Sequence, residues 1–269
     1  MRAGSGESLE IGGQPVKNLK SVAFAAAACV LLAGSLSAQG VGQAQWMGVN
    51  GSTGQYNNTG STSYQWYVYT SPYFASFKIP TPTTPAWLMP THGTTAFGPA
   101  QDIFCVDFNH EATLGTWNAY FTNLGSNAAD IGIKTRRGPK NTLQDYLAAA
   151  YLAKQIELAP QYSVQRAELN GALWNIMSGS PLYYLPGGTP IDVTTVGNYM
   201  NYALTTGWKS GNAYEWVVIT DTRSAGTQVD PNQEFITHVV TPEPATLLLL
   251  GTGLLGVLMG AGALRRQMV

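Results

Sequence analysis

Residues 142–177 read TLQDYLAAAYLAKQIELAPQYSVQRAELNGALWNIM, and this stretch decides the fold class. Across 143–151 the apolar side chains recur at spacings of three and four residues, which is the period of an amphipathic α-helix. Asn141 or Thr142 can cap its N-terminus, and a second helix is predicted to begin near Ser163. The stretch therefore predicts two consecutive helices.

Runs that favour β-strands lie on both sides of this helical stretch, and a third helix is predicted around 196–204. The strand-like runs are 64–69, 103–108, 214–220 and 234–240. Because strands precede and follow the helices, the sequence predicts an α+β, β-rich domain over 64–240 with an inserted segment of two or three helices. Before this domain, 39–63 is rich in turn-forming residues and predicts a flexible lead-in.

The composition argues against a polyelectrolyte or nucleic-acid-binding role. The 269 residues include 14 Lys+Arg and 15 Asp+Glu, so the formal net charge is −1 at pH 7. Only 11% of the residues are charged, against roughly 25% in an average soluble protein. The basic residues within 134–140 form one short cluster without interleaved aromatic residues. The sequence therefore lacks the electrostatic footprint of a nucleic-acid site, and no nucleic-acid partner is predicted.

The N-terminal residues have the order of a secretory signal peptide. An uncharged apolar run over 21–34 follows Lys17, and small residues follow that run up to Ala38. We therefore predict that signal peptidase removes residues 1–38. The leader before Lys17 is long and contains acidic residues, which suggests that translation starts near Val16.

The C-terminal residues have the order of a membrane anchor. Residues 245–264 read ATLLLLGTGLLGVLMGAGAL, an uncharged run long enough to cross the hydrocarbon core of a bilayer. Arg265 and Arg266 follow at once, and positive charge beside a span marks its cytoplasmic side. The sequence therefore predicts a C-terminal transmembrane helix in the inner membrane, with an extracellular body.

Pro242, Glu243 and Pro244 stand immediately before this span, and the two prolines interrupt any continuous secondary structure. The order of this tripeptide, an apolar span and a basic end resembles the PEP-CTERM sorting signal of exported bacterial proteins, over 241–269. The resemblance implies that an exosortase-type processing protease recognises the tripeptide and removes the tail. The protein would then pass from transient anchoring in the inner membrane to the cell surface or extracellular matrix.

Cys105 is the one cysteine outside the predicted signal peptide, because Cys29 lies within it. Three short motifs surround it in chain order: FCVD at 104–107, YLAAAYL at 146–152 and LNGALW at 169–174. Together they resemble the thioester-domain family of bacterial surface adhesins. In that family a strand cysteine is cross-linked to a glutamine four residues before a helical tryptophan, and the thioester acylates amines on a neighbouring surface.

The resemblance implies a role for three residues of this chain. Cys105 takes the position of the reactive thiol, Trp174 that of the packing tryptophan, and Asn170 that of the glutamine. An asparagine side chain is one methylene shorter than glutamine, so at the same backbone separation its carbonyl would fall short of the sulfur. We therefore predict a non-reactive domain of the same fold.

The predicted function is non-catalytic binding or adhesion by an exported bacterial protein, at the cell surface or in an exopolysaccharide matrix. Two alternatives stay open: a covalent adhesin with a Cys105 thioester, and a cysteine-dependent hydrolase that pairs Cys105 with His110 or His238. No cofactor and no metal site is predicted. An extracellular polysaccharide is the candidate ligand for this binding, since aromatic rings can pack against sugar rings. The aromatic residues considered for this contact are Tyr64, Trp66, Tyr67, Tyr69, Trp117, Tyr183 and Tyr184.

Overall fold

The computed structural model describes residues 40–49, 53–57, 66–82, 84–108, 115–136, 141–178, 183–184, 191–226, 233–239 and 252. The strands in this part of the chain are β1 Gly40–Val49, β2 Thr53–Asn57, β3 Trp66–Tyr69, β4 Tyr73–Lys78, β5 Gln101–Cys105, β6 Thr116–Asn123, β7 Tyr183–Tyr184, β8 Trp216–Asp221 and β9 Phe235–His238. Six of them close into an antiparallel barrel in the order β1-β4-β5-β9-β8-β6. The other three form a separate antiparallel sheet in the order β3-β2-β7.

Three α-helices lie between β6 and β8 in the chain. They are α1 Leu143–Leu158, α2 Val164–Ser178 and α3 Val193–Thr205. The predicted α+β class, rich in β-structure and with helices inserted between strands, is therefore confirmed. Of the two N-cap candidates for α1, Thr142 is the cap: its side chain accepts the Asp145 N–H, while the Asp145 side chain accepts the Thr142 N–H.

The barrel interior is filled by side chains that alternate along the strands. In β6, Trp117, Ala119 and Phe121 are buried, while the residues next to Trp117 on either side are exposed. Phe77 of β4 meets Phe121 edge to face, with ring centroids 5.3 Å apart. Because Ala44 of β1 is paired with Phe77 on one side and Trp117 on the other, large rings from the two neighbouring strands flank a small residue.

The structure places two strands, β1 and β2, within 39–63, where the sequence predicts a flexible lead-in. The buried positions of β1 are Gly42 and Ala44, whereas Val41 and Met47 are exposed. Trp46 continues the same inward face and packs its ring 5.1 Å from that of Tyr73, but Gly42 and Ala44 before it are small, so the alternation of hydrophobicity along β1 is weak. The barrel requires Gly42, because a Cβ added there would lie 2.4 Å from the carbonyl oxygen of Lys78.

Both predicted processing segments lie outside the described residues. These are the signal peptide, 1–38, and the sorting segment, 241–269, apart from Thr252 within the predicted span 245–264. The sorting tripeptide and the basic end, Pro242, Glu243, Pro244, Arg265 and Arg266, are among the residues not described. Within the part of the chain that the structure describes, no helix combines the length and hydrophobicity needed to span a membrane.

Candidate functional site

Cys105 occupies the last position of β5 and is fully buried in the core. Its backbone N–H donates to the Ser71 Oγ at 3.0 Å. Its thiol donates to the Asp107 carbonyl oxygen at 3.0 Å, and the Asp107 N–H lies 3.4 Å from the sulfur. Burial, together with the nearby Asp107 carboxylate, raises the pKa of the Cys105 thiol. The thiol is therefore protonated at neutral pH.

Trp174 joins helix α2 to the strand that carries Cys105. Its indole Nε1–H donates to the Cys105 carbonyl oxygen at 3.0 Å, and its ring lies 5.1 Å from that of Phe108, measured between centroids. Trp174 is buried, as are most residues of α2. Trp174 therefore packs α2 against the end of β5.

Asn170 lies one helical turn before Trp174 and is fully buried. Its Oδ1 accepts the Ser71 N–H at 2.7 Å. Its Nδ2 has no hydrogen-bond partner within the described residues. Ser71 thus contacts two of the three motif residues. Its N–H donates to Asn170, and its hydroxyl oxygen accepts the Cys105 N–H. The structure brings Cys105, Asn170 and Trp174 together, although long stretches of sequence separate β5 from α2.

A buried polar network lies beside this group. Asp107 forms an ion pair with Arg136, whose backbone N–H donates to the Glu234 carboxylate at 3.0 Å. The same carboxylate accepts the Tyr146 hydroxyl at 2.5 Å and the Thr220 hydroxyl at 2.6 Å. Burial raises the pKa of Glu234 and also, with the Glu234 carboxylate nearby, that of Tyr146. The network joins α1 to β8 and to the residue that precedes β9.

The hydrolase alternative needs a histidine beside Cys105. In β9 the register partner of Cys105 is Phe235, and His238 lies three residues further along, about 10 Å away at the usual rise of a strand. The His238 ring instead lies 3.5 Å from the Glu215 carboxylate and 5.0 Å from the Trp216 ring. The structure does not bring His238 to the thiol, and His110 lies outside the described residues.

Most of the aromatic residues considered for sugar contacts lie in the small sheet. Trp66, Tyr67 and Tyr69 belong to β3, Tyr183 and Tyr184 form β7, and both strands pair with β2. Tyr64 lies outside the described residues. Trp117 points into the barrel, 6.2 Å from the Phe235 ring, and is buried, so it is not available to a ligand.

Comparison with protein-family models, with curated proteins and with solved structures gives no match for this chain. Within the residues that the structure describes, no group of three or more His, Cys, Asp or Glu side chains is arranged to hold a metal ion.

Proposed function

We propose that this chain is an exported bacterial protein that is sorted to the cell surface and acts there, or in an exopolysaccharide matrix, by non-catalytic binding or adhesion. The observation that carries the proposal is the C-terminal order of Pro242-Glu243-Pro244, the uncharged run 245–264 and the basic pair at 265–266. This order resembles the PEP-CTERM sorting signal. An exosortase-type protease and signal peptidase are its expected processing partners.

The surroundings of Cys105 support the non-catalytic part of the proposal. A cysteine reacts as the thiolate, and burial of this thiol favours the protonated form. The Asn170 oxygen is occupied by the Ser71 N–H, so that side chain holds the backbone before β4 against α2. Cys105 and Asn170 both act in these contacts as packing and hydrogen-bonding residues of the core.

The test of sorting is the intact mass of the protein recovered from its own cells, with both terminal peptides sequenced. We expect a mature N-terminus close to Ala38 and a C-terminus close to Pro242-Glu243-Pro244. A variant with Glu243→Ala should keep the tail, whereas Gln233→Ala, which lies upstream of the sorting motif, should be processed normally. A native protein that keeps residues 245–269 would contradict the proposal.

A covalent adhesin is a second candidate, and the observation that favours it is the Nδ2 of buried Asn170, which has no hydrogen-bond partner among the residues that the structure describes. In this reaction the Cys105 sulfur would replace that nitrogen on the Asn170 side-chain carbonyl carbon. The C–N bond breaks, an S–C bond forms, and the nitrogen leaves with the thiol proton as ammonia. The same intact-mass measurement separates the two candidates.

For the non-catalytic function we expect no loss of ammonia and no covalent addition of methylamine. A body lighter by one ammonia, with the loss abolished in Cys105→Ser, would establish the thioester and replace the non-catalytic part of the first proposal. Sorting is read from the terminal peptides of the same sample, so its outcome is independent of the thioester result.

A further inference from the structure

A cleft of about 280 Å³ lies between α1 and the segment that joins α3 to β8. Its first wall is one face of α1, which carries Tyr151, Lys154 and Gln155 at helical spacing. Its second wall includes Trp208, Asn212 and Glu215. The volume is close to the lower end of the roughly 300–1,000 Å³ typical of small-molecule sites. The cleft therefore accommodates a small ligand or the end of a longer one.

Two aromatic rings of the cleft are held by their neighbours. The Tyr151 ring packs so closely against Gly207 that a Cβ there would lie 2.6 Å from it, and its centroid is 5.6 Å from that of Tyr202. Burial, with Tyr202 nearby, raises the pKa of Tyr151, so its hydroxyl stays protonated and can both donate and accept. The Lys209 Nζ lies over the Trp208 ring, 5.4 Å from its centroid.

The polar groups of the cleft are also held in place. The Asn212 Nδ2 donates to a Glu215 carboxylate oxygen at 3.2 Å, and the other Glu215 oxygen lies 3.5 Å from the His238 Nε2. The Lys154 ammonium donates to Glu157 at 2.8 Å. Lys154 and Glu215 are the charged residues of the lining, so their formal charges cancel. A polyanion would find no excess of positive charge in this cleft.

We propose that this cleft binds a neutral oligosaccharide, with one sugar ring against Tyr151 and Trp208 and its hydroxyl groups on Lys154, Asn212 and Glu215. A sugar ring has an apolar C–H face that packs on aromatic rings and a rim of hydroxyls that pair with amides, carboxylates and ammonium groups. The cleft offers both surfaces within one small volume. The inference rests on the proposed surface-binding function and names its site and ligand class.

Gly211 allows the cleft to be blocked with little change to the fold. It lines the cleft, and a Cβ added there would meet nothing within 4 Å. Gly211→Met should therefore place an uncharged side chain in the ligand's space. Gly197→Met is the matched control, because Gly197 lies in α3, outside the cleft lining, and a Cβ there also meets nothing within 4 Å.

The experiment titrates the purified full-length chain, in a detergent without a sugar headgroup, with cellotetraose, chitotetraose and tetragalacturonate. Binding is followed by calorimetry and by tryptophan fluorescence, since Trp208 and Trp216 line the cleft. We expect at least one of the two neutral probes to bind. We also expect Gly211→Met to weaken that binding by about tenfold or more, and Gly197→Met to change it by less than about twofold.

Three results would overturn the proposal: no binding of either neutral probe, binding of tetragalacturonate alone, or equal affinities in the two methionine variants. Failure of the sorting proposal would appear separately, as an intact C-terminal tail on the native protein. If the cleft binds no oligosaccharide, the native protein should still be processed correctly at both termini.

Discussion

Asn170 connects helix α2, through Ser71, to the strand end that carries Cys105. Its buried Oδ1 accepts the Ser71 N–H at 2.7 Å, and the Ser71 hydroxyl in turn accepts the Cys105 N–H. A hydrogen bond of this kind between buried groups is costly to break, because the donor left behind has no water to bind. Asn170 therefore holds α2 to the backbone that leads into β4, whatever its chemical role.

We predict that Asn170→Ala lowers the free energy of unfolding by about 2–3 kcal/mol, through the unpaired Ser71 N–H and the cavity left behind. Urea denaturation of the full-length protein measures the loss. The control is Asn198→Ala on the exposed face of α3, which should change stability by less than about 0.5 kcal/mol. Equal losses in the two variants would show that the Asn170 contact contributes nothing.

The buried Glu234 carboxyl should also make the stability of the protein depend on pH. Burial raises its pKa in the folded protein above the ordinary value of 4.5. Between 4.5 and the folded pKa the native state holds more protons than the unfolded state, so the contribution of Glu234 to stability falls as pH rises through this window. Below 4.5 that contribution is fully present.

We therefore expect the stability of the wild-type protein, relative to Glu234→Gln, to decrease as the pH rises above 4.5 towards the raised pKa of Glu234. The slope is at most about 1.4 kcal/mol per pH unit, the limit for one titrating group. Glutamine keeps an acceptor for the Thr220 hydroxyl and the Arg136 N–H. Urea unfolding of both proteins across this pH range gives the difference. A difference that is constant, or that grows with pH, would contradict the raised pKa.

At the scale of elements, β1 shows how close backbone contact replaces side-chain hydrophobicity. β1 pairs with β4 on one side and with β6 on the other, so it completes the ring of strands. Gly42 packs against the backbone of Lys78 and Ile79, and the space there admits a hydrogen atom but no Cβ. The strand is held by its two ladders, by rings that its neighbours supply around Ala44, and by its own Trp46, whose ring lies 5.1 Å from that of Tyr73.

Gly42→Ala should destabilise the protein by roughly 1–3 kcal/mol, because the new methyl group must displace the Lys78 carbonyl. Gly197→Ala is the opposite case: it lies in α3 with open space around it, and alanine should stabilise that helix by about 0.5–1 kcal/mol. Thermal unfolding of the two variants measures both signs. A Gly42→Ala protein as stable as the wild type would mean that β1 is not packed against this segment.

At the scale of the whole molecule, closure of the barrel predicts that the amide hydrogens of its strands are protected from exchange to a similar extent. β1 lies between β4 and β6, whereas β8 lies between β6 and β9. Amide hydrogens in a closed ladder exchange through the larger opening reactions of the fold. We expect peptides covering Gly40–Val49 to exchange as slowly, within about tenfold, as peptides covering Trp216–Asp221.

Hydrogen exchange of the full-length protein, followed by mass spectrometry, makes this measurement. A reference for fast exchange is the exposed bend at 94–96, which lies outside the barrel strands. If 40–49 exchanged as fast as that bend, this segment would be a flexible lead-in and not a barrel strand. Slow exchange throughout β1 would establish that it is part of the cooperative unit.

Local patterns in the sequence determined much of the architecture. The helical period and a cap residue predicted α1, and the same period predicted α2 and α3, because neighbours along a helix are neighbours in sequence. Strand-forming runs predicted β5, β8 and β9 within a few residues of their bounds. The α+β class followed from the order of these elements. The tripeptide Pro242-Glu243-Pro244, on which the sorting proposal rests, is a linear motif and needs no tertiary contact to be seen.

Tertiary structure alone decided the membership of β1 in the barrel, the meeting of Cys105 with Asn170 through Ser71, and the cleft beside α1. Each depends on pairs of residues far apart in the chain, and no local window contains both partners. β1 is the clearest case, because its inward Gly42 and Ala44 are small and the rings that flank Ala44 belong to other strands. Sequence determined which segments form helices, while long-range packing determined where the small and polar residues come together.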